Sequence, residues 1–368
     1  MRVLYFTEGD SPHDQRFLSA LSNTAYQVSV LRQRTAQPAT HQGVEELVWP
    51  HGMPDWSDWQ GWEAGREQLS ALIDLVKPDV IHAGPIQGPA FLAALAGFHP
   101  LVAMSWGYDM QMDAHRSPLM RCATEYTLAH SDLLIADCQA VAHQAAGFGF
   151  PIDHIVRFPW GVDLQHFSKE NGMDAGLAWR RELGWEDHFV VLCNRSWSPK
   201  YGVGVLARAF VHAAQHNANL RLLLVGSGPQ AEVLREILAP VEERVFMPGW
   251  VDQANLPAAY CAADLFISPS HCDGSSVSLL EALACGLPAL VSDIPSNLEW
   301  VKPGINGDIF AGGDAAMLEE RILALASDNR LSELGTEARR TAERDANWQK
   351  NFQKLLGAYD RAVAEFTP

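Results

Sequence analysis

The chain has 368 residues, of which 48% are hydrophobic and 19% are charged, with a formal net charge of -17 at neutral pH. This length is sufficient for two domains with separate cores, and the composition is that of a globular protein and not of a disordered one. The excess of acidic side chains argues against nucleic acid as a general partner and against permanent electrostatic attachment to an anionic membrane.

The chain shows no pattern of membrane insertion or of export. No uninterrupted apolar run is long enough to span a bilayer, and the start of the chain lacks the layout of a signal peptide. The cysteines lie apart without a Cys-x-x-Cys pair, which predicts reduced thiols in a cytoplasmic protein and neither a disulfide framework nor a zinc site. They are Cys122, Cys138, Cys193, Cys261, Cys272 and Cys285.

Short apolar runs alternate with helical patterns in the first half, which is typical of parallel α/β layers. We predict strands at Arg2–Thr7, Gln27–Leu31, Asp79–Ala83, Leu101–Ser105 and Leu133–Ala136, and helices at Asp14–Ser22, Pro89–Gly97 and Pro118–His130. Four tryptophans occur between the second and third strands, and the spacing of three between successive members favours one helical face for the last three. We interpret Trp49, Trp56, Trp59 and Trp62 as packing residues, with an aromatic platform for sugar rings or lipid as the alternative.

The same alternation restarts in the second half, with strands predicted at Phe189–Asn194, Leu220–Val225, Val245–Met247, Leu265–Ile267 and Ala289–Val291. A polar stretch separates the halves and is interpreted as a linker. We therefore predict domains at 1–165 and 188–340, a linker at 166–187, and a C-terminal helix within 341–368. Two successive doubly wound halves place ligand sites at the carboxyl ends of the strands.

The most informative segment starts at Asp273 and combines a polar loop with a helix. Two carboxylates, Asp273 and Glu281, are separated by seven residues, and small polar residues at Ser275, Ser276 and Ser278 occupy the expected helix N-terminus. Such a terminus favours an anion, and a carboxylate further along the helix can accept hydrogen bonds from hydroxyl groups of the same ligand. The pattern indicates a nucleotide or a nucleotide sugar. The alternative is an ordinary β-loop-α unit in which Glu281 is solvated.

This segment resembles the two-carboxylate signature of the retaining glycosyltransferase family 4, in the branch that begins with Asp-Gly. Pro269-Ser270, Asn297-Leu-Glu299 and Asn306-Gly307 extend the resemblance, which is close in the C-terminal half and loose in the N-terminal half. The resemblance implies the α/β GT-B fold, with two Rossmann-like doubly wound parallel-sheet domains that face an interdomain cleft. It also implies that the last helix crosses back to the first domain.

The resemblance further implies how a donor is held. Arg195 and Lys200, in Arg195-Ser-Trp-Ser-Pro-Lys200, are similar to the two cations that bind the donor diphosphate, and fixed cations stabilise a departing phosphate. Glu281 would bind the ribose hydroxyls and Asp273 a hydroxyl of the transferred sugar. Gly274, Ser275, Ser276 and Val277 would present backbone amides to the diphosphate or sugar. The alternative for the cations is an ordinary surface loop.

Two other features bear on the donor site. Gly226-Ser-Gly228-Pro resembles the family's glycine turn near the nucleotide, although glycine and proline there are also consistent with a plain strand-to-helix turn. No Asp-x-Asp sequence occurs, so we predict neither a metal site nor a cofactor, with a nucleoside diphosphate sugar as co-substrate.

The first domain departs from the family pattern. The loop Glu8–Arg16 has no glycine pair, and its His13 and Arg16 are candidates for contact with acceptor or phosphate, while Ser11 and Asp14 also read as helix-start residues. The family's His-Gly-x-Asp element is replaced by Trp106-Gly107-Tyr-Asp109. Asp109 is a catalytic candidate, with a buried turn carboxylate as the equal alternative, and Trp106 and Gly107 are candidates for the cleft. His82, at the end of a predicted strand, is interpreted as structural.

We therefore predict a cytoplasmic, retaining, metal-independent transferase that moves a hexose-type sugar from a nucleoside diphosphate donor to an acceptor hydroxyl. The alternatives are a non-catalytic nucleotide-sugar-binding protein, motivated by Trp106 and the absent glycine pair, and a GT-B nucleotide-sugar epimerase. The acceptor is left open among glycans, lipid-linked molecules and small metabolites. Oligomeric state and transient contact with a membrane are also left open.

Overall fold

The computed structural model describes residues 1–9, 11–33, 41–49 and 52–367, so Asp10 of the predicted loop Glu8–Arg16 lies outside the described residues. The chain divides into two compact units. Unit 1 contains Met1–Phe158 and Phe352–Pro368, and unit 2 contains Pro159–Asn351.

Unit 1 is built on seven parallel strands in the order β3-β2-β1-β4-β5-β6-β7. Its central strands are nearly continuous apolar runs because helices cover both faces of such a sheet. The direction of strand order reverses between β1 and β4, which makes the carboxyl ends of these strands the expected ligand edge. The elements are β1 (Arg2–Thr7), α1 (Pro12–Ser22), β2 (Gln27–Gln33), β3 (Val44–Trp49), α2 (Trp59–Val76), β4 (Val80–Ala83), α3 (Pro89–Ala96), β5 (Leu101–Met104), α4 (Ala114–Arg116), α5 (Pro118–Ala129), β6 (Leu133–Ala136), α6 (Gln139–Gly147) and β7 (Ile155–Arg157).

Unit 2 has six parallel strands in the order β10-β9-β8-β11-β12-β13. Here the strand order reverses between β8 and β11. The elements are α7 (Lys169–Leu183), β8 (Phe189–Cys193), α8 (Val203–His216), β9 (Leu220–Val225), α9 (Ala231–Leu238), β10 (Val245–Gly249), α10 (Leu256–Cys261), β11 (Leu265–Ser268), α11 (Val277–Ala284), β12 (Ala289–Ser292), α12 (Pro295–Trp300), β13 (Gly307–Phe310), α13 (Ala315–Ala326) and α14 (Leu331–Asp345), followed by α15 (Trp348–Phe366).

The segment predicted as a linker, 166–187, contains helix α7 of unit 2 instead. Ser168 caps this helix by accepting a hydrogen bond from the Asn171 amide at 3.2 Å, and Gly184 ends it in the left-handed conformation. The buried stripe consists of Gly172 and Gly176, and a Cβ at Gly172 would lie 2.4 Å from the Pro257 carbonyl oxygen. The polar composition of α7 is misleading because the helix packs on α10 through glycine rather than through large apolar side chains.

The four tryptophans have different environments. Trp49 and Trp62 are 1% and 2% exposed, whereas Trp59 is 61% exposed. Trp56 precedes α2 and packs on Trp62 with ring centroids 4.8 Å apart. The last three therefore do not share one helical face, and the packing interpretation fits Trp49, Trp56 and Trp62 but not the exposed Trp59.

Helix α15, near the C-terminal end of the chain, completes the core of unit 1 around His82. His82 is 0% exposed, and its Nδ1 lies 2.5 Å from the Tyr359 hydroxyl while its Nε2 lies 3.2 Å from Met104 Sδ. These partners fit a neutral ring with the proton on Nε2. Burial lowers the pKa of His82 from 6.5 to about 3. His82 is thus a structural residue.

This buried histidine makes stability depend on pH. Between pH 6.5 and about 3 the unfolded chain holds a proton on His82 that the folded chain does not. The contribution of neutral His82 to the free energy of unfolding is therefore complete above pH 6.5 and is lost progressively on acidification. We expect His82 alone to remove about 2 kcal/mol of unfolding free energy between pH 7 and pH 5. Urea denaturation at both pH values measures the difference. It should shrink in His82→Gln and persist in a variant of exposed His143, His143→Gln; an unchanged difference in His82→Gln would contradict the prediction.

Candidate active site

The candidate site in unit 2 lies where two neighbouring strands end. Strands β8 and β11 pair in parallel and flank the point where strand order reverses. Asn194 and Arg195 follow β8 directly, and the loop containing Asp273 follows β11 and leads into α11. The carboxyl ends of parallel strands share one edge of a sheet, so residues distant in sequence meet there.

Arg195 links the two loops. Its guanidinium donates from Nη1 to the hydroxyls of Ser276 and Ser278, each at 2.8 Å, and from Nη2 to Asp273 Oδ2 at 2.5 Å. Arg195 is 9% exposed. A rigid guanidinium is therefore fixed at the N-terminal turn of α11, where Ser276 is the cap residue.

The pKa values of Arg195 and Asp273 depend on the burial of both groups and on the charge that each presents to the other. Burial raises the pKa of Asp273, against the opposing effects of the Arg195 charge and of hydrogen bonds from Ser276 and Gly274. Burial disfavours the charge on Arg195, but Asp273 and the surrounding groups raise its pKa overall. Arg195 thus stays a cation, and in this structure Asp273 serves to hold it in place.

Lys200 lies beside the same pair, on a short turn before α8. The Lys200 ammonium and the Arg195 guanidinium both face the ring of Tyr201, at 5.0 Å and 4.3 Å from its centroid. Gly202 follows with a φ of 62°, and a Cβ there would lie 2.0 Å from the Pro269 carbonyl oxygen. Only glycine permits this approach of the Lys200 turn to the loop after β11.

Glu281 is joined to the Arg195 region through Tyr260. The Tyr260 hydroxyl donates to Glu281 Oε2 at 2.6 Å and accepts from Asn194 Nδ2 at 2.7 Å. Gln253 Nε2 donates to Glu281 Oε1 at 3.4 Å. Glu281 is 3% exposed, so it is not the solvated helix residue of the alternative interpretation. The structure brings Arg195, Lys200 and Glu281 to one edge of unit 2.

The glycine turn after β9 packs on the loop after β8. Gly226 has a φ of 119°, and its amide donates to the Gly249 carbonyl at 2.8 Å. A Cβ at Gly228 would lie 2.7 Å from the Trp197 backbone, and the Trp197 amide donates to the Ser227 carbonyl at 2.9 Å. The two glycines are therefore required by the turn itself. Because they have no side chain, the loops after β8 and β9 contact each other beside Arg195.

Several buried polar atoms of these two loops have no hydrogen-bond partner within the described part of the chain. They are Asn194 Oδ1, Arg195 Nε, Trp197 Nε1 and Gln230 Oε1. Buried polar groups are ordinarily paired, so a cluster of unpaired ones calls for an explanation, and a polar ligand supplies one. Sequence reasoning did not single out Asn194 in this role, nor Tyr260 and Gln253 around Glu281; no pattern in the sequence marks them.

In unit 1, Asp109 braces the loops after β4 and β5. Its carboxylate accepts from the Ser105 hydroxyl at 2.6 Å, and from the amides of Ile86, Trp106 and Met110 at 3.0, 3.0 and 2.9 Å. Asp109 is 1% exposed. Three of these donors bind Oδ1 and the Ile86 amide binds Oδ2, so protein groups hold both oxygens of the carboxylate. The geometry favours the buried turn carboxylate over the catalytic role.

The other candidates of unit 1 lie at the same edge of its sheet. The rings of His13 and Trp106 are 5.8 Å apart, which brings the start of α1 to the loop after β5. Gly107 has a φ of 87° and donates its amide to the Ser105 hydroxyl at 3.0 Å. Arg16 is half-buried on the first turns of α1. Ser11 and Asp14 form a capping box, as expected of helix-start residues.

No helix in the described ranges has the length and apolarity needed to cross a bilayer. The same ranges contain no group of three or more His, Cys, Asp or Glu side chains that could hold a metal ion.

Two doubly wound parallel sheets, with cations and a carboxylate at the carboxyl edge of the second, are the architecture expected of a glycosyltransferase with the GT-B fold. Two family models match this chain: the model of glycosyl transferase 4-like proteins matches residues 2–138, and that of glycosyl transferases group 1 matches residues 187–328. Together they match more than half of the chain, which belongs to glycosyltransferase family 4.

Curated relatives agree with this assignment, and solved structures agree with the fold. The chain is 27% identical over 288 residues to a GDP-mannose-dependent monoacylated alpha-(1-6)-phosphatidylinositol monomannoside mannosyltransferase of Corynebacterium glutamicum, covering 74% of this chain and 73% of the relative. It is 30% identical over 251 residues to the D-inositol 3-phosphate glycosyltransferase of Xylanimonas cellulosilytica, covering 65% and 59% of the two chains. Anabaena HepE, solved with UDP-glucose, has the same fold at a TM-score of 0.80 and 19% identity, with 98% and 100% of the chains covered.

Proposed function

We propose that this glycosyltransferase moves a hexose from a nucleoside diphosphate sugar to an acceptor hydroxyl, with retention of the anomeric configuration and without a metal ion. The observation that carries the proposal is the junction of Arg195, Asp273 and α11, which lies beside Glu281 at the carboxyl edge of unit 2.

The donor diphosphate would lie against Arg195, Lys200 and the first amides of α11. When the bond between the anomeric carbon and the phosphate oxygen breaks, negative charge grows on the leaving diphosphate. Fixed cations and helix N-terminal amides stabilise that charge without having to reorganise. This arrangement supplies the neutralisation that a divalent metal provides in other transferases, which is why we propose a metal-independent reaction.

The nucleoside would be held by Glu281, whose position is fixed by Tyr260 and Gln253. A carboxylate accepts hydrogen bonds from two neighbouring ribose hydroxyls, and its own partners orient it before the ligand binds. The unpaired polar atoms of Asn194, Arg195 and Trp197 are further contacts for the same ligand. The exposed indole of Trp250, at 72% exposure on the loop after β10, lies three residues from Gln253 and offers a stacking surface for the base.

Retention would follow from attack on the face that the phosphate leaves. In this front-face reaction the departing phosphate oxygen takes the proton of the acceptor hydroxyl, so no separate protein base is required. The four protein donors that hold Asp109 as a buried turn carboxylate support such a route.

The relatives narrow the donors that should be tested first. Among those named above, one mannosyltransferase is GDP-mannose-dependent, and HepE was solved with UDP-glucose. Phosphatidylinositol mannosides and inositol phosphate are the acceptors that the relatives' names indicate, so a cyclitol or its lipid is the first acceptor class to test. The acceptor would bind to the loops of His13, Arg16, Trp106 and Gly107 in unit 1.

The experiment is turnover of the purified chain with GDP-mannose, UDP-glucose and ADP-glucose, each with myo-inositol phosphate and with phosphatidylinositol in detergent. We expect one donor to be consumed at the same rate with and without EDTA, and the product to show the anomeric configuration of the donor by NMR. Inversion of configuration would overturn retention, and loss of activity in EDTA would overturn metal independence. Absence of both turnover and thermal protection with every donor would overturn the proposed donor class.

A further inference from the structure

Both cations of the candidate site lie against one aromatic side chain, that of Tyr201. The guanidinium carbon of Arg195 lies 4.3 Å from the centroid of the Tyr201 ring, and the ammonium nitrogen of Lys200 lies 5.0 Å from it. These distances are those of cation–π contacts, in which the negative face of an aromatic ring attracts a positive charge. Because both contacts end at one ring, the two positive groups are held near each other.

The position of the Tyr201 ring is set by the core of unit 2 and by the turn that carries it. The ring packs against the hydrophobic cluster that contains side chains of β8, β9 and α8. The Tyr201 amide donates to the Ser198 carbonyl at 3.0 Å, and the His271 amide donates to the Lys200 carbonyl at 2.9 Å. Gly202 then turns the chain into α8 in the left-handed conformation. The ring is therefore anchored before any ligand binds.

The two cations depend on the ring to different extents. Three hydrogen bonds to the loop after β11 and to the start of α11 already fix the Arg195 guanidinium. Lys200 instead carries its ammonium on a flexible four-carbon stem, which permits many positions of the charge. A contact that selects one of these positions lowers the entropy that the side chain loses when a ligand binds. The ring of Tyr201 therefore matters most for Lys200.

A neutral ring suits this task better than a second carboxylate. Two neighbouring cations repel each other, which opposes their convergence on one ligand. A carboxylate would offset this repulsion, but its own negative charge would also repel an incoming phosphate. The face of an aromatic ring attracts both cations without adding a net charge. Tyr201 can therefore hold the cations together and leave their positive charge available to a ligand.

We propose that Tyr201 is a positioning residue of the donor site, whose neutral ring holds the Lys200 ammonium beside the Arg195 guanidinium so that both meet the donor diphosphate. Tyr201 acts through these cations, and its hydroxyl takes no part. The inference rests on the proposed function, since that function assigns the two cations to a diphosphate. Loss of the ring should therefore weaken diphosphate binding through Lys200.

The first test reports the position of Lys200 and needs no donor. The chain has six lysines, and reductive methylation with isotopically labelled formaldehyde marks them for NMR while it keeps their positive charge. The current of an aromatic ring shifts the signal of a group above its face upfield, and the variant Lys200→Met identifies the signal of Lys200. We expect an upfield signal in the wild type and in Tyr201→Phe, and its loss in Tyr201→Leu. An unchanged Lys200 signal in Tyr201→Leu overturns the positioning role.

The second test measures the affinity for GDP, UDP and ADP by isothermal titration. We expect Tyr201→Leu to lose about tenfold in affinity for the diphosphate that binds, and Tyr201→Phe to stay within about twofold of the wild type. In a Lys200→Met background, Tyr201→Leu should reduce the affinity further by only about twofold, because the cation that the ring positions is already absent. Thermal unfolding checks that each variant is folded.

The outcomes separate this inference from the proposed function. A tenfold loss in Tyr201→Phe, or a loss that is the same with and without Lys200, overturns the role of the ring, although the wild type still binds a diphosphate. A wild-type protein that binds none of the three diphosphates overturns the proposed donor class, and the role of Tyr201 in diphosphate binding falls with it.

Discussion

Replacement of Arg195 by alanine is expected to lower kcat/KM by about 10³-fold, the largest effect of any single substitution in unit 2. The guanidinium contacts Ser276, the cap residue of α11, and its contacts with Asp273 and Ser278 fix it before any donor binds. Without this fixed cation, the negative charge that grows on the departing diphosphate is not stabilised. Steady-state kinetics with the donor found by the screen measures the loss.

Stability must be separated from catalysis in this variant, because removal of Arg195 leaves Asp273 buried without its counter-ion. Breaking such a pair costs about 3–5 kcal/mol. The double variant Arg195→Ala/Asp273→Asn removes both charges and should recover much of the stability without recovering activity. Arg235→Ala, an exposed arginine of α9, is the matched control and should behave like the wild type. Full activity in a folded Arg195→Ala protein would contradict a role for this cation.

Substitution of Glu281 by glutamine is expected to weaken donor binding by about 10–100-fold, since charge-assisted hydrogen bonds contribute about 1.5–3 kcal/mol. The change keeps the shape of the side chain but removes the negative charge, and it places an amide group beside the Tyr260 hydroxyl. Isothermal titration with the nucleoside diphosphate measures the loss directly.

The assignment of Glu281 to the ribose has a sharper test in the ligand. The wild type should lose affinity for 2′-deoxy and 3′-deoxy nucleotides, whereas Glu281→Gln should discriminate little between these and the ribose form. Tyr260→Phe is the matched variant, because it keeps the carboxylate and removes only the hydroxyl that orients it. It should show a smaller loss of affinity with discrimination retained. Undiminished discrimination in Glu281→Gln would place the ribose elsewhere.

The sequence was sufficient for the family and the fold class. Alternating apolar runs and helical patterns report burial, so they predicted the central strands of both sheets. The strand order of a doubly wound sheet then brings the ends of β8 and β11 together. The family, the transferase class and the fold are confirmed, whereas the roles of the individual site residues stay predictions.

The remainder depends on contacts that no local pattern encodes. Strands β3, β7 and β13 were missed; β7 has three residues, and β13 is only partly buried. Helix α7 was missed because glycine carries no hydrophobic signal. The support of Glu281 by Tyr260 and Asn194 joins three separate elements of the fold, and the sequence contains no periodicity that links them.

The position of α15 has a consequence for how the protein is made. Unit 2 is a continuous stretch of chain, but unit 1 is completed only by Phe352–Pro368. During translation, the core around His82 is therefore incomplete until Tyr359, which lies 277 residues later in the chain, has left the ribosome. The later-synthesised unit can finish folding first, which reverses the usual order from the N-terminus and leaves an apolar surface for chaperones to shield during translation.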